Sequence, residues 1–142
     1  MNATMEKFGY PDTLVRKYRL WSVQLRPKQA TFGALVAICT EPATRFGELS
    51  SAAFAELRQV TSDMEAALAQ GLECARLNYL MLMMVDPDVH FHVLPRYPAP
   101  REFQGLSFAD PGWPGPPELG FATDTDPAIN AAIIDLLQTH WP

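Results

Sequence analysis

Cysteine, histidine and long uncharged runs are scarce in this 142-residue chain, and each shortage excludes something. The two cysteines, Cys39 and Cys74, stand in no metal-ligand or redox spacing. A disulfide scaffold and a structural zinc finger are therefore not expected, and a reducing cytoplasm is the expected compartment. The longest stretch without a charge, Gln29 to Thr40, has 12 residues. A membrane-spanning helix needs about 20, so no transmembrane span is expected. The opening MNATMEKFGY has neither the basic nor the apolar segment of a secretory leader. Basic residues are missing from the last 41 positions: residues 102–142 hold six acidic residues and no Lys or Arg, while residues 1–28 hold six basic and two acidic. With a net charge of −5 and no basic stripe, the chain is a poor grip for a nucleic-acid backbone. The asymmetry suits pairing of the two ends, within one chain or between two. A small anionic ligand stays compatible, because it needs only a few local donors.

What is present is the profile of a soluble globular domain, with 48% hydrophobic and 19% charged residues. One domain over 1–142 is expected, with a core of about 19–97, a proline-rich strap of about 98–125 and a terminal helix of about 126–139. Arg19 to Leu25 alternates, Trp21, Val23 and Leu25 against Ser22 and Gln24, which reads as a half-buried strand. Gly33 to Cys39 is a short apolar run, read as a central strand joined to the first by the turn RPKQATF. Phe54, Leu57, Val60, Met64, Ala67 and Leu68 recur at helical spacing after a Ser50 or Ser51 cap, with Gly71 as the stop. Arg76 to Met84 and Val89 to Leu94 read as further strands around the turn Asp86-Pro87-Asp88, the second ended by Pro95. Residues 95–117 carry seven prolines together with Phe103, Phe108 and Trp113, an aromatic load that argues for a docked strap. Asp126-Pro127 caps a last helix whose apolar face is Ile129, Ala132, Ile133, Leu136 and Leu137. The order of elements gives an α+β fold with an antiparallel sheet, one main helix packed on it, and a C-terminal strap and helix.

Two of the three histidines, His90 and His92, sit in DPDVHFHVLPRY, Asp86 to Tyr97. On a strand, Asp88, His90 and His92 project from one face while Val89, Phe91 and Val93 fill the other. Three readings fit this pattern. The histidines are ordinary residues of a solvated sheet face; or they bind a metal with Asp88 as third ligand; or one imidazole is a nucleophile toward phosphorus and the other contacts the phosphate oxygens.

VHFHVLPRY, with the preceding LNYLMLM strand and the upstream LRPKQATFGALVAI segment, resembles the histidine triad (HIT) family, whose pattern is His-φ-His-φ-His-φ-φ with φ apolar. The likeness runs from about Trp21 to Tyr97. It implies an α+β sheet domain that forms a homodimer through its helix and a sheet edge. The implied activity is a nucleotidyl hydrolase or transferase acting on purine nucleotide conjugates such as phosphoramidates and dinucleoside polyphosphates, with no metal or other cofactor. Carried over by position, His90 is the nucleophile and His92 holds the phosphate or the leaving oxygen. Asp88 stands where the family has its first histidine. Met83, Met84 and Val85 stand where the family supplies phosphate donors, and Gly33-Ala34 where several members have Gly-His. Gln29 and Arg26 are candidates to replace those donors, with a place inside the turn as the alternative. Arg96 is a further candidate contact, the alternative being a pair with a carboxylate such as Asp86. Asn78 is a candidate for ribose, or simply faces solvent. Met81, Met83 and Met84 read as core filler. His140-Trp141 is exposed by default, with a contact to a partner's site as the alternative.

Overall fold

The β-rich first half and the capped helical segments assemble as their patterns dictate. In the computed structural model, which describes all of Met1–Pro142, the elements in chain order are α1 (Ala3–Lys7), β1 (Leu14–Lys17), β2 (Trp21–Leu25), β3 (Leu35–Cys39), α2 (Ser51–Leu72), β4 (Arg76–Leu80), β5 (His90–Arg96), β6 (Arg101–Phe103), β7 (Leu106–Phe108) and α3 (Pro127–His140). Five strands form one antiparallel sheet in the order β1-β2-β3-β5-β4, and β6 and β7 form a separate hairpin. The α+β fold read from the sequence is the observed one.

One sheet face carries Trp21, Val23, Leu25, Leu35, Ala37 and Val93 under the apolar stripe of α2 and α3, including Val60, Met64, Leu68, Ile133 and Leu137. Ser50 caps α2 by accepting from the Ala53 amide, and Asp126 caps α3 by accepting from Ile129, each contributing about 1 kcal/mol. Gly71 does not end α2. The helix runs to Leu72 and stops on Glu73 in the left-handed region, while Gly71 packs closely against the His140 ring. His140 and Trp141 are thus packed rather than exposed, and Trp141 donates to the Tyr18 hydroxyl.

The other sheet face is covered too, which the alternation did not foretell. All five residues of β2 are buried. Met5 of α1 packs on Val36 and Ile38, and Gln24 donates to the carbonyls of Met5 and Phe8. Strand lengths also differ from expectation: β4 stops at Leu80, and β5 begins at His90 and continues through Pro95 to Arg96. Proline is tolerated there because β3 has already ended, its last pair with β5 being Leu35 with Val93. The strap is docked as expected. Phe108 is buried against Phe32, with ring centroids 4.8 Å apart, and Phe103 stacks on the same ring. The chain ends meet through Gln138 on the Val15 carbonyl and Trp141 on Tyr18, with no ion pair between the basic and acidic ends.

Candidate active site

β5 sets the direction of every side chain in the motif. Phe91 and Val93 join the core beneath α2, so His90, His92, Leu94 and Arg96 take the opposite face. The His90 and His92 rings lie 5.3 Å apart, centroid to centroid, at 79°. Phe8 of α1 sits over both, 6.2 Å from His90 and 5.8 Å from His92. They are not on a solvated surface: His90 is 2% exposed and His92 8%.

His90 Nδ1 lies 2.7 Å from the backbone carbonyl oxygen of Asp88. A carbonyl only accepts, so Nδ1 carries the proton, and in the neutral ring Nε2 holds the lone pair. Asp88 lies just before the strand, and its carboxylate is turned to α1, the helix that covers the His90–His92 face. The strand starts at His90, two residues later, and the Asp88 carboxylate accepts from Thr4 Oγ1 at 2.8 Å and Thr4 N at 3.2 Å. Asp88 is thus tied to α1 rather than to either imidazole ring, and no cluster of three or more His, Cys, Asp or Glu side chains is placed to hold an ion.

His92 opens into a hollow of about 320 Å³ bounded by Lys7, Arg26, Lys28 and Asp86, with Phe8, Pro27 and Val85 as its apolar walls. Burial, then the nearby Arg26 cation and His90, push the His92 pKa down to about 4, against a smaller opposing pull from Asp86. The ring is thus neutral near pH 7. Its Nδ1 is buried without a partner, and so is Arg26 Nε. Arg26 Nη1 donates to the Lys28 carbonyl at 2.7 Å, and Lys7 pairs with Asp86 at 2.7 Å. Three cations, one carboxylate and two unsatisfied buried nitrogens make a site suited to an anion with several acceptor oxygens.

Of the other expected site residues, Gln29 is fully buried in the turn. It donates to the carbonyls of Arg26 and Ala34 and accepts from the Gly33 amide, leaving nothing for a ligand. Gly33 itself has φ +81°, and a Cβ there would run into Leu72. Arg96 lies at the far end of β5, beside a separate hollow of about 530 Å³ shared with Arg76, Asn78 and Trp113. Its carboxylate partner is Asp110 of the strap, while Asp86, before the opposite end of β5, pairs with Lys7. Asn78 accepts from Arg96. Met81 and Met83 pack on the core, whereas Met84 is exposed. Thr4, Lys7, Phe8 and Lys28 were not singled out from the sequence. The excess of basic residues before position 29 was the only trace of them.

No family model matches the sequence, and no curated protein does. Solved structures do match in shape. A histidine triad (HIT) protein from Sinorhizobium meliloti superposes with a TM-score of 0.77 at 18% identity, over 99% of this chain and 95% of that one. A histidine triad protein from Bradyrhizobium japonicum gives 0.76 at 19% identity, over 100% and 97%. The diadenosine triphosphate hydrolase of Plasmodium falciparum gives 0.64 at 7% identity, over 91% and 76%. The chain has the fold of histidine triad proteins over nearly its whole length.

Proposed function

We propose that this protein is a nucleotidyl hydrolase or transferase that acts on the α-phosphate of a purine nucleotide conjugate, a phosphoramidate or a dinucleoside polyphosphate. The observation that carries the reading is the pairing of His90, its Nδ1 proton fixed on the Asp88 carbonyl, with a cation-lined hollow at the adjacent His92. The shared fold with a diadenosine triphosphate hydrolase supports it.

In this reading the Nε2 lone pair of His90 attacks phosphorus in line. A nitrogen–phosphorus bond forms, and the bond to the leaving group breaks with its electron pair going to that group. The positive charge gained by the ring is shared with the Asp88 carbonyl through Nδ1–H. Neutral His92 donates a hydrogen bond to a phosphate oxygen or the leaving atom, and Arg26 and Lys28 offset the charge on the equatorial oxygens. Water or another acceptor then attacks phosphorus and restores His90. The protein with adenosine phosphoramidate or diadenosine polyphosphates should release its leaving group and show a transient nucleotidyl adduct on His90 by mass spectrometry. His90→Ala should do neither, and equal rates in the two would refute covalent catalysis there.

The near-complete burial of His90 under Phe8 favours one other reading, a catalytically silent nucleotide-binding module. Calorimetry separates them. Micromolar affinity for adenosine monophosphate without turnover, also in Asp88→His, would point to the silent module.

The partner on the opposite side of the sheet is, in this proposal, a second copy of the chain. Phe46, Phe54 and Tyr79 are exposed around an apolar hollow of about 260 Å³ between α2 and the β4 edge, lined by Leu57, Met64 and Phe91.

A further inference from the structure

The carbonyl that fixes the His90 tautomer belongs to a residue the sheet does not hold. Asp88 precedes β5, in a strand-free segment after Leu80 that exposes Leu82, Met84 and Val85. Its neighbour Val89 is buried and accepts from the Cys39 amide, and Asp88 itself is held by its carboxylate. Oδ2 accepts from both the hydroxyl and the amide of Thr4, a residue 84 positions away and 1% exposed. Thr4 is fixed in turn, because α1 is anchored on the sheet at three places. Asn2 donates to the Cys39 carbonyl at 2.9 Å, Gln24 donates to Met5 and Phe8, and the Met5 side chain is packed on Val36 and Ile38.

We infer that Thr4 is a positioning residue for His90: by gripping the Asp88 carboxylate it keeps the Asp88 carbonyl on Nδ1 and so keeps the lone pair on Nε2. The inference accounts for a carboxylate at this position. A carboxylate oxygen accepts two hydrogen bonds at once, whereas a neutral imidazole offers one acceptor nitrogen and could not take both Thr4 donors. It also assigns α1, a five-residue helix with little stability of its own, a share in the chemistry proposed above.

The test has a readout that does not need turnover. In histidine labelled with nitrogen-15, the intact protein should show His90 protonated at Nδ1. Thr4→Val keeps the side-chain shape and removes the hydroxyl donor, and it should shift His90 toward a mixture of tautomers. Thr4→Ser, which keeps the hydroxyl, should restore the Nδ1 form. On the catalytic reading, which the rate arm rests on, Thr4→Val should lower kcat about tenfold with KM nearly unchanged, the size expected for one hydrogen bond. Asp88→Ala should act in the same direction, and the double variant should be little worse than the worse single one, since the two residues form one contact. If Thr4→Val disturbs α1 as a whole, Asp88→Ala with Thr4 intact decides. An unchanged His90 tautomer in Asp88→Ala overturns the inference. A wild-type protein without turnover would remove the enzyme proposal and leave the tautomer test standing.

Discussion

Arg96 and Asp110 meet through two parallel hydrogen bonds, Nε to Oδ2 at 2.7 Å and Nη2 to Oδ1 at 3.0 Å, with side chains only 4% and 1% exposed. Two more donors are used as well: Nη1 on Asn78 Oδ1 and Nη2 also on the Gly115 carbonyl, while Asp110 accepts from the Tyr97 amide. This cluster fastens the strap to the end of β5. A buried pair of this kind is costly to break, because the surviving charge has no solvent to turn to.

Arg96→Met should therefore destabilise the protein by about 3–5 kcal/mol. Urea denaturation would read the loss, and limited proteolysis should find new cleavage within residues 98–125. Anion affinity at the His92 hollow should change little, because Arg96 does not border it. A variant as stable as the wild type would show that the pair contributes only specificity.

Arg26→Met should have the opposite profile. The guanidinium is partly buried, its Nε has no partner, and burial lowers its pKa. Removing it relieves that desolvation and takes away a ligand donor. Folding stability should hold or rise, and affinity for adenosine monophosphate should fall about 10- to 100-fold by calorimetry, the worth of one charge-assisted hydrogen bond. Unchanged affinity would place the phosphate elsewhere.

His92 makes stability depend on pH in a defined direction. Its folded pKa of about 4 lies below the ordinary imidazole value of 6.5, so the unfolded chain takes up a proton first as pH falls. The contribution of neutral His92 is whole above about pH 6.5 and declines as pH drops toward about 4. Wild type should lose stability faster than His92→Gln across that window in chemical denaturation. A bound phosphate should raise the His92 pKa, visible as a shift in its proton resonance titration.

The apolar patch beside α2 makes a claim about assembly. Phe54→Glu places a charge next to Phe46, whose ring lies 5.4 Å from that of Phe54. It should raise the dimer dissociation constant at least about tenfold in sedimentation velocity. Phe54 is 40% exposed and outside the buried core, so Phe54→Glu should leave the monomer fold intact. A wild-type monomer at tens of micromolar would end the proposal.

The parts legible in the sequence were those with enough residues to show a period. The 22 residues of α2 repeat their apolar positions, and β2 and β3 declare themselves by alternation and by an unbroken apolar run. His90 and His92 were legible because strand geometry alone puts i and i+2 on one face. α1 and β1, five and four residues long, are too short for any period. Asn2 as cap was the one local sign of α1, since its side chain accepts from the Met5 amide. The hollow was illegible for a different reason. Lys7, Arg26, Asp86 and His92 come from four separate segments, and only the crossing of α1 over the sheet brings them together. The tie from Asp88 to Thr4 was illegible for the same reason, since it joins residues 84 positions apart through a helix too short to show a period.

The bond from the Trp141 indole to the Tyr18 hydroxyl closes a loop of 123 positions, and Tyr18 in turn donates to Asp63 in the middle of α2. Synthesis runs from the other end, so Tyr18 and Asp63 can meet early, while the indole arrives only once residue 141 has left the ribosome. A nascent chain stalled anywhere before α3 would hold the sheet with α2 only partly covered, a sticky state of the sort that chaperones recognise. Emergence of α3, rather than completion of the histidine strand, would then mark the moment at which the sheet and α2 become fully covered.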